Sequence, residues 1–440
     1  MDWNNNNNYD LRRAVYERMS EQLSKIPEES DRNKYIERVV KGIKPDASKS
    51  EIDGVIADSK KFDPIDKYLY DPDVEDIMVN NISNIFLYTT KSGFIKTKDS
   101  INSKKDLEML VAKMKMYATT AVASKKIFDV HLPNGSRVNI VDSPLGADIT
   151  IRNFKPTAMS IIDLINAGEM SYQMAARLWI YVDGLKVRPA NLLIGGMPAS
   201  GKTTLLNAMF SFFRPEERIV VIEETYELNT ETQENCVRLE TDPSVPMEDL
   251  VKNALRMRPD MIIIGEVRGS EAKDMMTAMN IGKISMGTIH ASTARDVVTR
   301  LQHSPMNVDM DIVPLIDAIA IVSQVPEKGR MVRKITQVSE ISGIETQVLM
   351  SDLYTYDYKT HRGTDILPSV TYRDTLSKLT GYPPSEIIME EQRRAKILER
   401  LNGLGTRNMH DINAFCKEYY EDQEKAMQKI GLPDLGKLPW

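Results

Sequence analysis

The sequence predicts an α/β fold: a parallel sheet carrying a phosphate loop, with a smaller α+β domain before it and a mostly helical region after it. Three observations predict this. From residue 191 onward short apolar runs alternate with helical stretches, the pattern of a parallel sheet covered by helices. Before that, between 61 and 154, β-rich runs are broken by turn residues around one helical stretch. Finally, the apolar run 192–194 leads directly into Gly-x-x-x-x-Gly-Lys-Thr and then a helical pattern.

The 440 residues, 42% of them hydrophobic, exceed one ordinary domain and can bury two or three cores. Residues 1–10 are expected to be a disordered tip, because the asparagines at 4–8 supply nothing to bury. A helical lead-in follows over 11–60. Leu11, Val15, Met19, Leu23 and Ile26 form one stripe, and Tyr35, Val39, Val40 and Ile43 a second. The α+β domain, 61–154, has β-rich runs at 77–79, 85–88 and 137–141, broken by Asn81, Gly93 and Pro133-Asn134-Gly135, with a helix over 105–116. Lys155-Pro156-Thr157 reads as a connector, opening a stretch of linker and helices, 155–190. The core, 191–345, has strands at 192–194, 218–222, 261–264, 284–288 and 318–322. Beyond Gly343 a short β-like stretch precedes the mostly helical region 346–440, with stripes at 387–401 and 409–427. The chain has no internal repeat.

Composition narrows the function. The longest apolar runs fall far short of the roughly 20 residues needed to cross a bilayer. The first residues have neither the basic start nor the apolar core of a signal peptide, so a cytoplasmic protein is expected. Cys236 and Cys416 have no second cysteine or clustered histidine nearby, so they are expected as reduced thiols and no metal cluster is expected. A net charge of −6 argues against a broad nucleic-acid footprint, leaving only local basic strips such as Arg393-Arg394 with Lys396.

The sharpest signal is Gly196-Met197-Pro198-Ala199-Ser200-Gly201-Lys202-Thr203, followed by Thr204 at the head of the next helix. In such a loop, backbone N–H groups and the positive helix end cradle phosphates, Lys202 neutralises β- and γ-oxygens, and the Thr203 hydroxyl ligates Mg²⁺. A glycine-rich turn that happens to contain Lys-Thr is the bland alternative, and the flanking strand and helix argue against it.

Mg²⁺ and an attacking water each need a carboxylate. In the stretch 258–266, Asp260 and Glu266 flank one apolar strand and stand roughly 20 Å apart at a strand rise of about 3.3 Å per residue. Ligands bind at the carboxyl ends of such strands, so Glu266 stands at the phosphate edge and Asp260 is a turn or cap residue at the far edge. Glu266 is expected either to hold Mg²⁺ through water or to polarise the nucleophilic water. The run 218–222 ends in Glu223-Glu224-Thr225-Tyr226-Glu227 at the same edge, where clustered carboxylates call for a nearby cation. A solvated acidic loop is the competing reading. The run 284–288 delivers His290 there too, as a γ-phosphate sensor or as a core hydrogen-bonding histidine.

These stretches, in this order, resemble the type II/type IV secretion superfamily ATPases: phosphate loop, acidic box at 223–227, Walker B ending Gly265-Glu266-Val267-Arg268, and His box Gly287-Thr288-Ile289-His290. The runs 132–138 and 149–154 are similar to that family's N-terminal domain, and the resemblance makes Arg137 and Arg152 phosphate clamps. It also implies a RecA-like core, ATP hydrolysis with Mg²⁺, a homo-hexamer, and a domain movement on hydrolysis. A polytopic membrane platform protein would receive that movement at the inner face of the cytoplasmic membrane, for a pilus, an archaellum or a secretion system. Ala199-Ser200-Gly201-Lys202, Asp163-Leu164-Ile165 and the tail at 354–358 and 393–401 look most like the archaeal archaellum and pilus motors. Glu224 stands where the family's acidic box has Asp. The family pattern makes Glu227 the first candidate for activating water, with Glu224 and Glu223 as alternatives. Two other function classes are weighed. A guanine-nucleotide switch lacks its Asn-Lys-x-Asp motif, and a nucleic-acid-stimulated motor lacks a basic stripe with interleaved aromatics.

Overall fold

The computed structural model describes residues 3–89, 92–119, 121–122, 125–143, 146–153, 159–242, 244–327 and 330–432, with side chains from Tyr9 onward. Phe154 and the expected connector Lys155-Pro156-Thr157 lie outside the described residues. The chain divides into two compact units, Met1–Pro156 and Thr157–Trp440.

In the first unit, helices Trp3–Arg18, Glu29–Ile43 and Lys49–Ser59 precede a six-stranded antiparallel sheet. Its strands are β1 (Val74–Asn81), β2 (Asn84–Thr89), β3 (Gly93–Lys96), β4 (Ile127–His131), β5 (Arg137–Ser143) and β6 (Gly146–Arg152), in the order β3-β2-β1-β6-β5-β4. The asparagine run, expected in a disordered tip, instead lies in the first helix. The helix is anchored further along, where Val15 and Tyr16, with Met19 just past its end, are fully buried. The lead-in helices and the sheet share one hydrophobic core running from Leu11 to Ile151, so they pack as a single body. Tyr16 donates from inside that core to Asp58 Oδ2 at 2.7 Å, pinning the first helix to the third.

The second unit is built on nine strands: β7 (Leu192–Gly195), β8 (Ile219–Glu223), β9 (Cys236–Glu240), β10 (Met261–Val267), β11 (Ile284–Ile289), β12 (Ala318–Glu327), β13 (Arg330–Ile344), β14 (Val348–Asp357) and β15 (Arg362–Asp365). Strands β12-β7-β11-β10-β8-β9 are hydrogen-bonded in parallel, and β13, β14 and β15 extend the β12 edge antiparallel. This is a RecA-like α/β core. Strands β7 and β8 are buried at every residue, as expected where helices cover both faces of a parallel sheet. Alternate residues serve opposite faces: Leu192, Ile194, Val221 and Ile263 join one apolar cluster, Leu193, Ile222, Ile262 and Ile264 the other.

The sheet runs past residue 345 through β14 and β15, so the C-terminal region contributes more strand than its helical pattern suggests. Its helices Pro384–Gly403 and Met409–Glu421 bury Ile397, Leu401, Phe415 and Tyr419 in the same cluster as Trp179. The indole N–H of Trp179 donates to Tyr420 Oη at 2.6 Å, and its ring stacks on Phe212 with centroids 5.0 Å apart. Each such side chain contributes about 1.5–3 kcal/mol by burial. Arg393 and Arg394 are no basic strip: they are 6% and 1% exposed and engage Glu390 and Asp183.

Candidate nucleotide site

Strand β7 passes into the loop through two glycines that have no room for a side chain. A Cβ on Gly195 would lie 2.5 Å from Ile321 Cδ1, and one on Gly196 2.3 Å from Ser200 Oγ and 2.5 Å from Val322 O. The turn then needs left-handed backbone at Ala199 (φ +60°) and Gly201 (φ +103°), the former a conformation that costs a non-glycine residue on the order of 1 kcal/mol. Gly196 N–H donates to Ile289 O at 3.2 Å, tying the loop to the end of β11. Lys202 opens the helix Lys202–Met209, with Thr203 and Thr204 half-buried in its first turn, so the positive end of the helix adjoins the loop. Met197, Pro198 and Ala199 are exposed, while Ser200 is buried and its hydroxyl finds no hydrogen-bond partner among the described residues.

Lys202 is 7% exposed, and its Nζ lies 3.3 Å from both Met197 O and His290 Nδ1. His290 Nε2 contacts Glu266 Oε1. Burial, then the Lys202 charge, hold the His290 pKa below its ordinary value, against the opposing pull of Glu266. A neutral imidazole can accept from Lys202 at Nδ1 while its Nε2 edge lies against Glu266. Glu266 Oε2 accepts from Arg268, whose other guanidinium arm donates to Glu224 Oε2 at 2.9 Å. Lys202, His290, Glu266, Arg268 and Glu224 thus form a continuous row across the ends of β7, β11, β10 and β8.

A β-bulge aims Glu266 into this row. Ile264 pairs with Gly287 and Val267 with Ile289, so Gly265 and Glu266 together face Thr288, whose hydroxyl donates to Gly265 O at 2.6 Å. At the far end of the same strand, Asp260 Oδ2 accepts from Arg218 N–H at 2.9 Å, the turn role expected for it.

The acidic box does not form a shared carboxylate cluster. Glu223 is 2% exposed and points inward, where its Oε1 accepts from the N–H groups of Glu227 and Leu228, both at 2.9 Å. Its other oxygen faces Arg238 at 3.4 Å. Burial raises its pKa, and those N–H groups and Arg238 offset the rise. Glu223 therefore folds the loop. Glu224 turns outward to Arg268, and Glu227 is exposed, its carbonyl held by Asn207 at 3.1 Å. The cations beside Glu223 and Glu224 are arginines of this chain.

Arg137 and Arg152 belong to the other unit, where they are exposed and directly opposite each other on β5 and β6. Like charges so placed repel unless anions are near. Asp129 lies 3.7 Å from Arg137, and Asp76 is the register partner of Arg152 on β1.

For Mg²⁺, the available donors are the Thr203 hydroxyl at the loop and the Glu266 carboxylate. Among the described residues no three His, Cys, Asp or Glu side chains gather as a metal site. An ion here would rely on phosphate oxygens and water, which suits Mg²⁺. Sequence reasoning missed Arg238, Asn207, Gln324 and Arg333. The role of Arg268 was within reach, two residues beyond Glu266 in the Walker B stretch. Arg333, which approaches the loop from β13, leaves no local sequence signal.

The chain matches the family model described as "Type II/IV secretion system protein" over residues 58–365. Two uncharacterized proteins of Methanocaldococcus jannaschii are similar to it. One is 38% identical over 49% of this chain and 31% of its own length, so the match spans about a third of that relative. The other is 30% identical over 82% of this chain and 68% of its own length. A probable conjugal transfer protein TrbB of Sinorhizobium fredii is 30% identical over 62% of this chain and 86% of its length.

Proposed function

The chain belongs to the type II/IV secretion system protein family, and on that premise we propose that it is an ATP-hydrolysing motor, acting as a homo-hexamer on a polytopic membrane platform protein to assemble, rotate or retract a pilus-like filament, archaellum or related secretion machine. The observation that carries the proposal is the row from Lys202 through His290, Glu266 and Arg268 to Glu224, laid across the strand ends beside a phosphate loop.

In this reading the loop N–H groups and Lys202 bind the β- and γ-phosphates, and His290 reports the γ-phosphate to Glu266. Thr203 and Glu266 would hold Mg²⁺, which supplies charge neutralisation at the phosphate oxygens when bound. Glu227 remains the first candidate for activating water, on the family pattern, with Glu224, which contacts Arg268, and Glu223, which accepts from two backbone N–H groups, as alternatives. Arg137 and Arg152 clamp phosphate, the role the family resemblance implies for them. Loss of the γ-phosphate removes the anion these groups share, and that release is the step coupled to motion. Among the described residues no helix is long and apolar enough to cross a membrane. In this reading the platform partner would hold the chain at the inner face of the cytoplasmic membrane. The archaeal archaellum and pilus motors are the branch we favour, on the loop and tail residues quoted above.

Separate measurements of binding and turnover test the proposal. Lys202→Ala is expected to abolish tight ATP binding, and Glu266→Gln to keep binding and lose turnover. Full activity in the Glu266 variant would sink the assignment of that residue. Arg137→Ala and Arg152→Ala should each lower turnover with melting temperature unchanged. Stimulation of ATPase activity by single-stranded DNA, but not by membranes bearing a platform protein, would replace the filament-motor reading with a nucleic-acid motor.

A further inference from the structure

The hairpin of β12 and β13 is longer than the sheet requires. Strand β12 pairs with β7 only over Ala318–Ile321, opposite Leu192–Gly195, yet it continues to Glu327 and returns as β13 from Arg330. Beyond Gly195, where β7 gives way to the phosphate loop, the hairpin carries on beside the loop. Gln324 and Arg333 are register partners on its two strands. Both donate to the same acceptor, Ala199 O: Gln324 Nε2 at 3.0 Å and Arg333 Nε at 3.3 Å. Ala199 is the loop's left-handed non-glycine residue, so its peptide needs outside support to hold that shape. The Arg333 stem closes the other side of the turn, where a Cβ on Gly201 would lie 3.1 Å from Arg333 Cδ. Behind it, Ile335 N–H donates to the carbonyl of the buried Glu169 at 3.0 Å, and the Glu169 carboxylate feels Arg333 and Lys334 as its nearby cations.

We propose that Arg333 and Gln324 are positioning residues that hold the crown of the phosphate loop in its phosphate-binding shape through the Ala199 carbonyl, joining the loop to the antiparallel edge of the sheet. The inference rests on the nucleotide-site reading above. Because the two side chains hold the loop's Ala199 carbonyl, they support every nucleotide that uses the loop, ADP as well as ATP.

The test is nucleotide affinity and steady-state kinetics of the full chain carrying Arg333→Ala, Arg333→Lys, Gln324→Ala or both alanine changes, with melting temperature alongside. A charged hydrogen-bond donor is lost in Arg333→Ala, so ADP and ATP should both bind about tenfold more weakly. The KM for ATP should rise by a similar factor, with kcat changed less. Arg333→Lys, which keeps a charge and a donor, should recover most of the affinity. Gln324→Ala should lose about threefold, and the double variant less than the product, because one oxygen serves both donors. Unchanged affinity in Arg333→Ala, in a protein whose wild type binds ATP, overturns the inference. So does weakening of ATP alone, which would make Arg333 a direct γ-phosphate contact. If Arg333→Ala melts early, Gln324→Ala decides: an unchanged KM in that variant also overturns it. Failure of the wild type to bind either nucleotide overturns the site reading itself.

Discussion

Two rows of alternating charge cross the Thr157–Trp440 unit, and they behave differently. One joins Arg393, Glu390, Arg394 and Asp183 between the C-terminal helices and the helix Tyr172–Asp183. Its members are 0–6% exposed, with Tyr419 Oη donating to Glu390 at 2.8 Å and Leu185 N–H to Asp183 at 3.2 Å. The other is the Lys202 to Glu224 row, which starts buried and ends with the Arg268 and Glu224 side chains 53% and 47% exposed. Charges sealed in low dielectric have no alternative partners, so the first row fixes geometry. A row that runs out to solvent can exchange partners with a ligand. Residue types alone do not separate the two, because both pair arginines with acids.

The largest expected effect lies in the buried row. Arg394→Ala leaves Asp183 and Glu390 buried without the guanidinium, which costs about 3–5 kcal/mol. A fall in melting temperature on the order of 10 °C should follow, with ATP affinity unaltered where the protein remains folded. A shift under one degree would break the distinction between the rows. Next comes Arg268→Ala in the exposed row. Stability should change by less than about 1 kcal/mol, as for other solvated ion pairs, while turnover drops at least about tenfold because Glu266 loses one of its two orienting contacts. Unfolding comparable to that of the Arg394 variant would place Arg268 with the structural group.

How far each row was legible in the sequence follows from the same physics. The phosphate loop is a local feature in which strand, glycines, lysine and helix are contiguous, so Gly196 to Thr203 could be read directly. Glu266 and His290 were placed at the right edge because strand ends obey a simple rule. The rule does not give side-chain direction. Glu223 and Glu224 are neighbours, yet one points into the core and the other into solvent, and only the paired backbone N–H groups of Glu227 and Leu228 decide which. Arg393 and Arg394 look basic in sequence, but both pair with the nearby Glu390, and the second partner of Arg394, Asp183, lies 211 residues away in the chain. Arg333 reaches Ala199 across 134 residues, through a hairpin whose length the periodicity of β12 does not foretell. Local chemistry was readable, and long-range pairing was not.

The smallest effect is a titration, and it tests whether the exposed row is electrostatically connected. His290 sits between a cation and an anion, and its pKa is lowered by burial and Lys202 and raised by Glu266. With a folded pKa below the ordinary histidine value of about 6.5, its neutral form persists as pH falls through that value, so turnover that depends on the neutral ring should decline only at lower pH. Removing Glu266 as Gln takes away the stabilising anion and should lower the pKa further. Removing Lys202 as Ala takes away the repelling cation and should raise it. The chain has five histidines, few enough for each imidazole resonance to be followed by NMR against pH. Opposite shifts in the two variants establish the row as one coupled unit, whereas shifts of the same sign, or none, would reduce it to contacts without shared electrostatics.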